Sequence, residues 1–228
     1  MSFAALRALA LASWRERLLR PLFGGLCLLF CFASISAARL SHELQEPTLL
    51  LTLLIGAGSI GRDVSSGVLP LLFTRPLVRS RYVVTKWLAI GSAVSLLTTL
   101  TLLVEALMLS HAGFGVPAAE VGAALFRSVT NTFGIASVLV LLSVLVSGMT
   151  DVLLWIGLDL LPTLAQKHLP QRVTEEWTAF LDPSLDWSVT FGHPVGWSPL
   201  FSYLSTVTLC LALASLAINR KELSYASG

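Results

Sequence analysis

Long apolar runs separated by short polar segments set the pattern of this chain. Residues 21–38 carry no charge, and further apolar runs cover 48–61, 83–110, 121–147, 152–165 and 198–218. An α-helix rises about 1.5 Å per residue, so roughly 20 such residues cross a hydrocarbon core of about 30 Å. The pattern predicts six membrane-spanning helices, the second of them thin. Residues 1–20 differ: Phe3, Leu6, Leu9, Trp14 and Leu18 alternate with Arg7, Arg15, Arg17 and Arg20, which predicts an amphipathic helix lying on the membrane face. A cleaved signal peptide fits less well, because its apolar core would run only about 7–15 residues.

Composition agrees with the pattern. Of 228 residues, 55% are hydrophobic and 12% charged, with a mean hydropathy of +0.79, far from the roughly 25% charge of soluble domains. A net charge of +2 is too small to point to nucleic acid. The distribution of the basic residues is more informative. Arg7, Arg15, Arg17, Arg20, Arg62, Arg75, Arg79, Arg81, Lys86, Arg220 and Lys221 fall on one side of the predicted spans, eleven in all, against Arg39, Arg127, Lys167 and Arg172 on or toward the other. By the positive-inside rule both termini are cytoplasmic. Cys27, Cys31 and Cys210 sit in apolar runs, as small polarizable core residues do.

Residues 62–86 interrupt the apolar pattern most strongly. Arg62, Arg75, Arg79, Arg81 and Lys86 lie here, and each would cost about 2.5–3.5 kcal/mol at mid-bilayer, so the segment belongs in water or at the surface. It is also half apolar and jointed by Gly67, Pro70 and Pro76, which predicts short helices broken by turns. Such an element can dock on a partner protein, with simple positive-inside anchoring as the alternative.

The run Gly67-Val-Leu-Pro-Leu-Leu-Phe-Thr-Arg-Pro-Leu-Val-Arg-Ser-Arg-Tyr82, followed by Lys86, resembles the cytoplasmic coupling loop of permease subunits of type 2 ATP-binding cassette exporters. The resemblance is closest to the nitrous-oxide-reductase maturation branch. The family's acidic turn, short helix, Arg-Pro pair and basic step fall on Asp63, Gly67, Pro70, Arg75, Pro76, Arg79, Arg81 and Lys86, with Asp63 standing where many relatives carry Glu. The resemblance implies an all-α, single-domain permease (1–228) of a bacterial plasma membrane. It implies re-entrant or interfacial helices in the outer segment 166–199. It further implies a separate cytoplasmic ATPase subunit in two copies, which holds ATP and Mg and grips Arg62 to Lys86, with residues 1–20 and 148–151 as further contacts. The second permease copy would form a homodimer or a heterodimer with a similar chain. No G-x-x-x-x-G-K-[ST] phosphate loop occurs in the sequence, so the chain is expected neither to hydrolyse ATP nor to hold a cofactor of its own.

Three charged residues fall inside the predicted spans. Glu105 and Arg127 lie at comparable depth on neighbouring helices, so they are expected to pair, with snorkelling of Glu105 as the alternative. Asp159 near mid-depth is expected to face protein or a water-filled path. An ion-coupled transporter or channel using Glu105 and Asp159 is the competing function. The Trp177, Trp187 and Trp197 indoles predict short helices in the outer interface. Gly56, Gly58 and Gly61 match G-x-G-x-x-G, but a basic loop follows where a dinucleotide fold needs a helix and a ribose-binding acid. The glycines are read instead as close-approach positions between helices in lipid. His168, Asp182, Asp186 and His193 match no metal-ligand spacing and are read as solvated surface.

Overall fold

A computed structural model describes residues 8, 11–15, 21–66, 78–146, 150–165, 170–192 and 196–226. Gly67, Pro70, Arg75 and Pro76 of the expected coupling segment, most of residues 1–20, Lys167, His168 and His193 lie outside the described residues. The helices are α1 (Pro21–Ser41), α2 (Thr48–Gly56), α3 (Gly61–Ser65), α4 (Arg79–His111), α5 (Ala118–Leu145), α6 (Thr150–Ala165), α7 (Gln171–Leu181), α8 (Trp187–Phe191) and α9 (Trp197–Ala226). No strand occurs among the described residues.

Among the described residues, five helices are long and apolar enough to cross a membrane: Pro21–Ser41, Thr48–Ser65, Arg79–His111, Ala118–Leu145 and Trp197–Arg220. The second is longer than the sequence predicts, because the chain turns at 57–60 and resumes as α3. The expected fifth span is α6, a helix of 16 residues, about 24 Å long by its rise.

Helix α5 is the central stave, packed against α4, α9, α2 and α6. Its half nearest Leu145 is buried over most of its surface, from Ile135 through Val140 and from Leu142 to Val144, as a mostly apolar helix at the centre of a bundle should be. Helices α1 and α9 instead expose Leu22, Leu28, Phe32, Phe201, Leu209 and Leu216. Faces of this kind suit acyl chains. In lipid the solvent is as apolar as the core, so helices associate through close packing and buried polar links rather than by expelling water.

Glycine supplies the close packing. A Cβ on Gly91 would stand 2.2 Å from the Phe133 ring, and one on Gly56 would stand 2.7 Å from Leu139. The space at Gly91 lets Phe133 lie edge-on to Trp87 at 5.2 Å while the Trp87 indole donates to the Phe133 carbonyl at 2.9 Å. On the other side of α5, the Pro183 carbonyl would meet a Cβ on Gly134 at 2.1 Å.

That last contact belongs to an unexpected hairpin. Rather than lying flat, α7 runs back along α6: the Trp177 indole donates to the Leu158 carbonyl at 3.0 Å and the Trp155 indole to the Leu181 carbonyl at 3.2 Å. The segment 182–186 then meets α5 at Gly134, which is eleven residues, or about 16 Å, from Leu145. The three tryptophans of the insert still face outward, between 41% and 61% exposed.

Replacing Gly91 by Val forces Phe133 and Trp87 apart and should destabilise the bundle by about 1–3 kcal/mol, the usual range for overpacking. Gly25→Ala, where a Cβ meets nothing within 4 Å, is the control. Thermal melting in detergent should show a clear fall for the first and little change for the second; equal melting would count against close packing at Gly91.

Candidate functional site

The site most closely tied to the basic segment is a clamp at its two roots. On the near root, Asp63 sits in the five-residue α3; on the far root, Tyr82 and Lys86 stand one turn apart on α4, a spacing that puts both on one face. The Tyr82 hydroxyl donates to Asp63 Oδ2, and Lys86 Nζ lies 2.9 Å from the same oxygen. The Lys86 ammonium also lies 5.7 Å from the Tyr82 ring centroid. Tyr82 is fully buried, and the Lys86 and Asp63 side chains are 8% and 20% exposed. A charge this far from water needs a partner, since stranding one member of a buried pair costs about 3–5 kcal/mol.

Neighbouring contacts extend the clamp to the first and last spans. Arg79 donates to Asn219 Oδ1 on α9 at 3.1 Å. The Arg62 guanidinium lies 5.6 Å from the Phe23 ring centroid on α1. Trp14 reaches into the bundle, its indole donating to the Ala89 carbonyl at 2.8 Å. Of the residues expected to meet a partner ATPase, Asp63 and Lys86 are turned inward, Arg62 and Arg79 are half-buried against α1 and α9, and Arg81 is exposed.

The position of α3 depends on the break at 57–60. Gly58 takes φ of +61°, a left-handed conformation open to glycine, and the turn frees backbone N–H groups that lipid cannot satisfy. Two side chains take them up. Asp151 Oδ2 accepts from Gly58 N–H at 2.7 Å, and Ser143 Oγ accepts from Ile60 and Gly61 N–H at 3.0 and 2.9 Å. Asp151 is fully buried, so it is a structural brace rather than the exposed turn residue its sequence position implies. The small-residue run 56–61 signalled close approach; nothing in the sequence pairs it with Ser143 or Asp151.

At the far end of the bundle, Glu105 and Arg127 occupy one level, as expected, but take different partners. Glu105, fully buried, accepts from Ser34 Oγ at 2.7 Å and from Gln45 N–H at 2.9 Å. Arg127 Nε donates to Glu46 Oε1 at 2.8 Å, with Asp186 at 3.8 Å. The physical reason is the turn between α1 and α2, whose adjacent residues Gln45 and Glu46 reach one group each. Ser188 donates to Asp186 through its hydroxyl and its N–H; these bonds, with Arg127 nearby, hold the Asp186 carboxyl below the usual carboxylate range.

Asp159 is half-buried on α6 and has Asp182 as a like-charged neighbour. Asp182 follows α7 directly and lies beside the Asn131 amide; its Oδ1 and the Asn131 Oδ1 are buried without a hydrogen-bond partner among the described residues. Burial, and secondarily the Asp159 charge, push the Asp182 carboxyl above its usual range. Asp182 was expected to be solvated surface. It is drawn inward because the hairpin tip packs on α5. Among the described residues no cluster of three or more His, Cys, Asp or Glu could hold a metal ion.

Two outcomes test these assignments. Lys86→Met should lower stability by about 2 kcal/mol, between the values for polar links in lipid and for buried pairs in water. Combining it with Asp63→Asn should cost less than the sum of the single changes, whereas additive melting shifts would count against the pair. Because the folded Asp182 carboxyl titrates above its unfolded value, its ionisation destabilises the native state once pH exceeds the ordinary carboxylate range. Asp182→Asn should therefore match the parent near pH 4 and melt higher than it near pH 8; a pH-independent difference would contradict this.

No family model, curated protein or solved structure matches the chain.

Proposed function

We propose that this chain is the membrane subunit of an ATP-driven exporter of the type 2 ATP-binding cassette class. The observation that carries the reading is the clamp on both roots of the basic segment. A flexible anchoring loop has no need of a buried Asp63–Tyr82–Lys86 contact beneath it, nor of Arg62 and Arg79 ties to α1 and α9. A lever does, because a push on the segment must reach the spans without being absorbed at its base.

In this reading the basic segment is cytoplasmic, both termini lie on the same side of the bacterial plasma membrane, and α6 is a short sixth span. Two copies of a separate ATPase subunit bind ATP with Mg and close, and Arg75 and Arg81 with the sequence around Pro70 form the gripped surface. Closure favours one packing of α3 and α4 over another, and the difference in binding free energy between the two packings drives the step. A second permease copy, identical or similar, completes the path, since one chain of this size encloses little space. The Asp159–Asp182 neighbourhood is the one feature favouring the competing reading, an ion-coupled transporter or channel. Glu105 supports it poorly, as both of its carboxylate oxygens are already engaged.

Native purification in mild detergent should recover the chain with an ATPase subunit. In that complex, Gly67→Trp combined with Arg75→Glu should lower transport-coupled, vanadate-sensitive ATP hydrolysis at least tenfold. Unchanged coupling would overturn the lever, and ATP-independent flux in vesicles holding this chain alone would favour the ion-coupled reading.

A further inference from the structure

At the far end, α1, α4 and the turn that follows α4 line a half-open cavity of about 490 Å³, within the range of small-molecule sites. Its walls are apolar, with Ile35 and Ala38 on one side and Val104, Leu107 and Met108 on the other, while Arg39, His42 and His111 stand around it. Glu105 also lines it, but its two oxygens are engaged by Ser34 and Gln45.

The rim is held under strain. His42 takes φ of +60°, a conformation that non-glycine residues avoid and keep only where their surroundings impose it. Here the imidazole stacks on Phe114, ring centroids 3.9 Å apart and 22° from parallel. The stack joins the end of α1 to the turn between α4 and α5, and so closes one side of the cavity.

We propose that this cavity binds one anionic glycerophospholipid, its phosphate on Arg39 and the imidazole N–H groups of His42 and His111, and one acyl chain along the apolar wall between α1 and α4. Depth supports this. Glu105 stands nineteen residues along α4 from Lys86, about 28 Å by the helical rise, which puts the rim where the headgroups of a bilayer begin. The division of the lining supports it too, because a free inorganic anion would meet the rim and leave the apolar cavity unfilled. Arginine's planar fork is well matched to phosphate oxygens. The site stands whether or not ATP drives transport by this chain.

The test is lipid binding to the full chain, delipidated in detergent and followed by native mass spectrometry. Phosphatidylglycerol should bind one per chain, at least tenfold more tightly than phosphatidylcholine, and millimolar inorganic phosphate should not displace it. Arg39→Glu changes an exposed residue and should weaken phosphatidylglycerol at least tenfold without shifting the melting temperature. Ala112→Trp, also exposed, should block the cavity and lower binding of both lipids. Equal phosphatidylglycerol binding by the parent and Arg39→Glu would overturn the proposal. Displacement by inorganic phosphate would overturn it as well, leaving a site for a simple anion.

Discussion

The Asp63–Lys86 ion pair, with the Tyr82 hydroxyl on the same carboxylate oxygen, is the contact on which the rest of the architecture depends. Two charges that are nearly out of water must meet each other, and to meet them the chain has to bring α3 against α4. That requires the second span to turn at 57–60. The turn requires acceptors for its freed N–H groups, which come from Ser143 on α5 and Asp151 at the start of α6. One ion pair thus fixes the relation of four helices, and it does so beneath a segment too cationic to enter lipid.

A second polar tier lies at the opposite end, where Glu105 and Arg127 each take a partner from the turn between α1 and α2. The two tiers stand about 28 Å apart along α4, close to the thickness of a hydrocarbon core. Between them α5 fits closely against α4 and α2 through glycine-scale contacts, Phe133 over Gly91 of α4 and Leu139 against Gly56 of α2. This division of labour is what lipid imposes: apolar area gives little net attraction there, so shape joins the middle and polar contacts join the ends.

The spans were legible in the sequence because an uncharged run of about 20 residues has few other uses. The common level of Glu105 and Arg127 was legible too, since it follows from counting residues along a hairpin. Their partners were not. Ser34, Gln45 and Glu46 lie some 60 to 80 residues away in the chain, and which acid meets which base depends on how a turn of six residues is aimed. The run 56–61 announced close approach but not a left-handed turn braced by Asp151, whose position beside a polar connection made it look exposed. Likewise the tryptophans of the insert announced an interface, while the fold-back of α7 rests on indole bonds to the backbone of α6 that no local pattern encodes.

A rigid base under the basic segment is the central claim, and the distance between its two roots tests it most directly. With the three cysteines replaced by alanine, spin labels at Ser66 and Ser80, both exposed, should give a narrow distance distribution by pulsed electron resonance in liposomes. That distribution should broaden when Lys86 is changed to methionine. A broad distribution in the parent, or an unchanged one in the variant, would show that the roots move independently and that the segment cannot act as a lever.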